Sequence, residues 1–408
     1  MTEQRPLPDR YLLRWSIVLG FVLLGNYLFW AFGAPAITKI GLVTVLLGLV
    51  GIFLLGRPGQ YLPLKLFFIG GVVLALGSPT DGWDARSIWL FHGKRMFFDG
   101  SLYAQLDGYA PWSHNDYPTF VPALSASFAL CLGYWNEVVP KVAGVFVMLP
   151  ALCLLTAFLS GQRQILGLIL MLLFLGRNFL FSGWMDPLLA VYGTALVASF
   201  YLLTKGGSRE KIDQSEHVLL VAAMAMVAAI LCLVKNEGIF IILAVNIAFL
   251  PAYIMSRVSI GRSVCLAGAA ALLPLVGWEL VCAKYGIHSD LSQDTLPLGF
   301  ILSTRSWHDV LEIARCVFFQ LEFAVPLILY LYLARQGKNN PLSGFLLMTA
   351  LIYSLMVFAV YLVTPHDLAW HLKTSVDRTI IPVGLMIGYG CVMMMGRGSS
   401  APKVLRSD

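Results

Sequence analysis

Long runs of apolar residues alternate along this chain with short polar connections, and a bilayer crossing needs about 20 such residues. About 13 runs qualify: 11–32, 36–56, 61–78, 118–134, 139–160, 164–182, 187–204, 217–235, 238–256, 263–283, 310–334, 342–363 and 379–396. Each is predicted to be a helix. Three connections are too long or too polar to be simple turns: 79–117, 284–309 and 364–378. No repeat or low-complexity linker divides the chain, so residues 1–408 read as one membrane domain.

Within 79–117, apolar Ile88, Trp89, Phe91, Met96, Phe97 and Phe98 interleave with Arg86, His92, Lys94 and Arg95. This is the pattern of an amphipathic helix lying in the membrane interface. Composition agrees with the segment count. Of 408 residues, 58% are hydrophobic and only 12% charged, against roughly 25% charged in soluble domains, and mean hydropathy is +0.78. The seven Cys are scattered, with no metal spacing and no disulfide framework. The expected fold is all-α and polytopic, with about 12–13 transmembrane helices.

The net charge of +6 sits mostly in short loops and tails, as the positive-inside rule produces, and implies no nucleic-acid partner. Arg5, Arg10 and Arg14 put the N-terminus in the cytoplasm, and three crossings put 79–117 outside. Counting back from Arg397, Lys403 and Arg406 puts 364–378, 284–309, Lys235–Gly238 and Asp186 outside as well. The two counts agree only if one segment between 118 and 182 fails to cross, and 118–134, with Pro118 and Pro122, is the favoured one. The polar clusters then all fall on the non-cytoplasmic side, the pattern of a membrane-embedded site.

Those clusters carry the candidate chemistry. Asp81 and Asp84 are suited to a catalytic base or a metal ligand, although Asp84 is also placed to cap a helix. Arg86, His114, Asp116 and Tyr117 are candidate substrate contacts, and Pro118 makes a simple polar turn an equal reading of the last three. Asp186 precedes Pro187 and is a candidate contact or a cap. Lys235 and Glu237 interrupt apolar sequence, where each charge costs a few kcal/mol unless paired or wet. They form either a structural ion pair or a phosphate-binding lysine held by its glutamate. His366, Asp367, His371, Lys373, Asp377 and Arg378 crowd one connection and suit an anionic headgroup, with Arg378 able to chelate a phosphate. Nucleotide-binding and covalent-catalysis motifs such as Walker A, GxSxG and HExxH are missing.

On Asp84, His114 to Pro118, Asp186, Lys235 to Gly238 and Thr364 to Arg378, the chain resembles the C-type (GT-C) membrane glycosyltransferases. It is most similar to the bacterial glycosyltransferase 39-like branch, near the protein O-mannosyltransferases and aminoarabinose transferases. The resemblance implies a GT-C-like fold in the inner (plasma) membrane. It also implies transfer of a sugar from a polyprenyl-phosphate donor to a glycan, lipid or protein acceptor at the periplasmic face. It gives Asp84, helped by Asp81, the role of acceptor base, and makes Asp84 and Asp186 candidates for a divalent cation such as Mg or Mn. The acidic pair here is Asp-x-x-Asp rather than a tighter Asp-x-Asp, a departure that bears on the metal. Three segments precede the first outer loop where the family has one. In this reading Lys235, Arg378 and His371 or Lys373 stabilise the departing phosphate. Two rival classes use the same residues without chemistry: a transporter or flippase of a lipid-linked or anionic solute, and a non-catalytic subunit of an envelope-polysaccharide assembly.

Overall fold

A backbone entering hydrocarbon must bond its own N–H and C=O groups, which leaves the helix as the form open to apolar runs of this length. The computed structural model describes residues 8–37, 41–80, 82–102, 110–205, 213–255, 261–288, 299 and 304–396. Every regular element among them is helical. Seven of these helices are long and apolar enough to cross a bilayer, so the chain is a multi-pass helical membrane protein. Five shorter apolar helices of 10–17 residues and one bent pair accompany them.

The principal helices are α1 (Arg10–Ala31), α2 (Val43–Leu55), α3 (Leu62–Gly77), α4 (Leu90–Asp99, entered through a π-helical turn Ala85–Trp89), α5 (Phe120–Leu132), α6 (Ala143–Ala157), α7 (Gln162–Leu175) and α8 (Asp186–Lys205). They continue with α9 (Gln214–Val234), α10 (Gly238–Ile254), α11 (Arg262–Tyr285), α12 (Trp307–Phe318), α13 (Leu321–Arg335), α14 (Pro341–Val363), α15 (Leu368–Thr379) and α16 (Ile381–Met395).

Burial sorts them into centre and rim. Along α8, 94% of the spanning window is buried, against 17% along α11, although α11 is slightly the more apolar of the two. A helix this apolar that turns its side chains outward is matched to lipid, not to water. The centre is α8 packed against α6, α9 and α16. Close approach there depends on small residues. A Cβ on Gly384 of α16 would collide with the Glu322 carbonyl of α13. The same glutamate pairs with Arg177, 2.8 Å away, beyond the end of α7.

Polar connections gather at two ends of the bundle. At one end Arg10 pairs with Glu216 at 2.6 Å, Tyr61 donates to Asp9, and Lys65 caps the C-terminus of α2 through the Gly56 carbonyl. The clusters picked out in the sequence lie at the other. Glu216 lies near the start of α9 and Lys235 just past its end, about 28 Å apart along the helix.

Several expected boundaries differ: the run 36–56 gives the helix Val43–Leu55, and 164–182 the helix Gln162–Leu175. The run 310–334 is not one straight helix: α12 and α13 meet at 62°. A capping box of Ser306 and Asp309 starts α12 earlier than the apolar pattern does, and Glu312 and Arg315 give it a polar face that a membrane interior would not accept. The connection 364–378 is not a loop. Asp367 accepts from the Trp370 amide at 2.8 Å and opens α15, whose buried Leu368, Leu372 and Val376 recur at helical spacing. Of the apolar segments between 118 and 182, only Val139–Ala157 reaches spanning length among the described residues. The 13 residues of α5 rise about 20 Å, short of a hydrocarbon core of about 30 Å.

Gly384→Val should drive α16 off α13 and lower stability by about 1–3 kcal/mol. SDS-titration unfolding of the detergent-solubilised protein measures this, and an unchanged midpoint would mean the two helices do not depend on that contact.

Candidate active site

Charges at the end of an apolar bundle have to find one another. The turn after α9 leaves Lys235 only 2% exposed. Its ammonium lies 2.9 Å from Asp186 at the head of α8 and 2.8 Å from Glu237. Burial works against its charge, but the two carboxylates outweigh that and hold its pKa well above the ordinary lysine value. The structural ion pair is therefore formed, and the ammonium is occupied by carboxylates on two sides.

Asp186, 1% exposed, turns its second oxygen toward Arg378, 3.7 Å away. Arg378, near the end of α15, is hydrogen-bonded through Nη1 to Asp84 and lies over the Trp184 ring, 4.9 Å from its centroid. Asp84 makes no capping bond to the helix it precedes, so it does not serve as a cap. A side chain at Gly82 would collide with the same Trp184 indole, so a glycine lets this strand of backbone lie against the tryptophan. A chain of charges results, Glu237, Lys235, Asp186, Arg378 and Asp84, drawn from four separated stretches of sequence.

Tyr117 is the aromatic centre of the site. Its ring stacks with Trp89 at 5.2 Å and with His114 at 5.0 Å, and its hydroxyl donates to Glu237 at 3.4 Å. Burial, reinforced by the Glu237 charge, pushes the phenol well above its usual pKa and keeps it a donor. Asp116 accepts from Asn236 Nδ2 at 2.9 Å, and its carbonyl accepts from Trp278 Nε1 at 2.8 Å. On the far side, Arg305 donates to the carbonyls of Leu362 and Thr364 at 3.1 and 2.7 Å, closing the C-terminus of α14. Thr364 Oγ1 in turn meets His371 Nδ1 at 2.8 Å.

These groups surround a cavity of about 500 Å³. Asp84, His114, Asp116, Tyr117, Lys235, Glu237, His366, His371 and Arg378 all line it, with Asp186 immediately behind. The lining also includes Ile239 and Phe240 from α10 and Tyr353, Val357 and Val360 from α14. Two of the expected contacts are elsewhere. Arg86 is exposed and does not line the cavity, and Lys373 faces a second cavity across α15 beside Asp377. Asp81 lies outside the described residues. The sequence reading missed Trp184, Trp278, Tyr353 and Tyr361; only Trp184, two residues from Asp186, carried a positional hint.

The site does not suit a divalent ion on Asp84 and Asp186. Their carboxylates converge on the Arg378 guanidinium, a cation that already faces both. Among the described residues no three His, Cys, Asp or Glu side chains are grouped to hold one.

The turn carrying His114 is tied to α4 by His92, which is fully buried and lies 3.4 Å from Ser113 Oγ. Burial pushes this imidazole from the ordinary 6.5 down to about 4.

Comparison with protein-family models, with curated proteins and with solved structures finds no match to this chain.

Removing one member of the buried pair should cost far more than removing both. Lys235→Met is expected to lose about 3–5 kcal/mol, and adding Asp186→Leu to recover most of it. Unfolding in mixed micelles compares the two, and additive losses would deny the coupling. For His92 the sign follows from its lowered folded pKa. Between pH 6.5 and about 4 the unfolded chain takes the proton and the folded one does not, so stability falls as pH drops through that window. His92→Gln should flatten the dependence, and parallel pH profiles for the two proteins would locate it in another group.

Proposed function

We propose that this protein is an inverting glycosyltransferase that moves a sugar from a polyprenyl-phosphate donor to an envelope glycan, lipid or protein acceptor. It would act at the periplasmic face of the inner membrane, with a cytoplasmic N-terminus. The observation that carries the reading is one cavity lined by both charged and apolar side chains, at one end of the bundle. An amphiphile with an anionic headgroup suits such a lining: its phosphate meets the cation of Arg378, and its hydrocarbon lies against the apolar residues of α10 and α14. A transporter site nearer the middle of the helices would suit alternating access better, whereas these residues sit at helix ends.

In this reading the groups divide the reaction between them. The acceptor oxygen bonds to the anomeric carbon as the bond from that carbon to the phosphate oxygen breaks. The electron pair leaves with the phosphate, and Arg378 stabilises the charge that develops there. Asp84 takes the proton of the acceptor hydroxyl. A single displacement inverts the anomeric centre, and phosphate departs without an acid. Lys235 keeps Asp186 and Glu237 ionised and in place, a positioning role in this scheme. The scheme routes no step through a metal.

Purified protein in nanodiscs, given radiolabelled polyprenyl-phosphate sugars and crude envelope acceptor, tests the assignment. Wild type should move label off the lipid, and Asp84→Asn should slow this by about 10²–10⁴-fold, the usual reach of a general base. Donor that both proteins bind equally and neither consumes would replace the transferase with a transporter or a non-catalytic subunit.

A further inference from the structure

The charged chain in the cavity is out of balance. Asp84, Asp186 and Glu237 supply three carboxylates against the two cations Lys235 and Arg378, and Asp116 adds a fourth acid to the lining. A phosphate entering this cluster meets net negative charge. Lys235 cannot turn toward it without abandoning Asp186, which is almost wholly buried and would be left beside a distant guanidinium. Arg378 is different. Both it and its partner Asp84 line the cavity, and its Nε is buried without a hydrogen-bond partner. A guanidinium presents five N–H donors in a fork, and here Nη1 is already taken by a carboxylate. Among these acids Asp186 is held by both cations, while Asp84 and Glu237 each touch one, and Glu237 is further held by the Tyr117 hydroxyl.

We infer that the anionic group of the donor and the Asp84 carboxylate compete for Arg378, so that Asp84 is masked in the empty protein and released when a phosphate binds. This rests on the transferase reading and adds its regulation. The acceptor base is then free only when the donor is in place, and binding is ordered, donor first. Masking carries a cost in apparent affinity, because the binding-competent state is only a fraction of the empty protein. Removing the mask should therefore tighten binding of the phosphate even as it abolishes transfer. A carboxylate that merely helped to hold the donor would have the opposite signature.

The experiment measures binding of dodecyl phosphate, with dodecanol as the uncharged control, to the full chain in nanodiscs by isothermal titration. Wild type, Asp84→Asn and the charge-conserving Asp84→Glu are compared, with Asp84→Ser as a second uncharged variant should the amide not fold. The two uncharged variants are expected to bind the phosphate about tenfold tighter than wild type, with Asp84→Glu close to wild type and dodecanol binding unaffected in all. Equal or weaker binding by the uncharged variants overturns the competition while leaving the transferase reading in place. Failure of every protein to prefer the phosphate over the alcohol removes both.

Discussion

The fold and the site depend on one constraint: a charge buried among apolar helices has to be met by its opposite. Lys235 and Asp186 satisfy it most completely, at 2.9 Å and nearly out of solvent. From them the pairing spreads to Glu237 on one side and to Arg378 and Asp84 on the other. Because these residues come from the head of α8, the end of α9, the end of α15 and the turn before α4, the pairing decides how four parts of the chain meet. Buried pairs add little net stability compared with an apolar core of the same volume. What this one supplies is placement, and it brings two carboxylates and a guanidinium to the edge of the cavity.

The helix α15 divides two environments. Trp370, His371, Thr374, Ser375 and Arg378 face the cavity described above, while Leu368, Leu372, Lys373, Val376 and Asp377 line a second one of about 600 Å³ against α12. α12, which meets α13 at 62°, supplies the other side of that space. A wall one helix thick, capped by Asp367 and followed by Pro382 at the start of α16, is anchored at both ends. Its charged residues can only face one cavity or the other, which is why Arg378 and Lys373, five positions apart, serve different sides.

Much of this was legible in the sequence. Most long apolar runs became helices, because a backbone in lipid must satisfy its own polar groups, but seven of the described helices, rather than the roughly 12–13 expected, reach spanning length. The gathering of Asp84, His114, Asp116, Lys235 and Arg378 at one end followed from counting crossings and signs of charge. What escaped was direction. Arg86 lies two residues from Asp84, about 200° around a helix, so proximity in sequence placed it on the wrong face. The run 364–378 read as a loop because its charges drew attention from Leu368, Leu372 and Val376, whose spacing was helical all along. Trp278 escaped for another reason: a tryptophan inside an apolar span gives no sign that its N–H will hold the Asp116 carbonyl.

The helix dipoles explain why the central pair has this sense and not the reverse. Asp186 stands at the N-terminus of α8, where the free amide ends carry partial positive charge, and Lys235 follows the C-terminus of α9, where the free carbonyls carry partial negative charge. These two helices pack side by side in opposite directions, so the two favourable ends are neighbours. Each charge is thus stabilised twice, by its partner and by its own helix, and exchanging them would keep the ion pair while setting both against the dipoles. Arg378, in the last turn of α15, has helix-dipole support as well. Its closest carboxylate, however, belongs to Asp84, which precedes its helix yet makes no bond to the helix amides. That difference separates a fixed pair from one that can open, and it falls at the point where the cavity meets the charged chain.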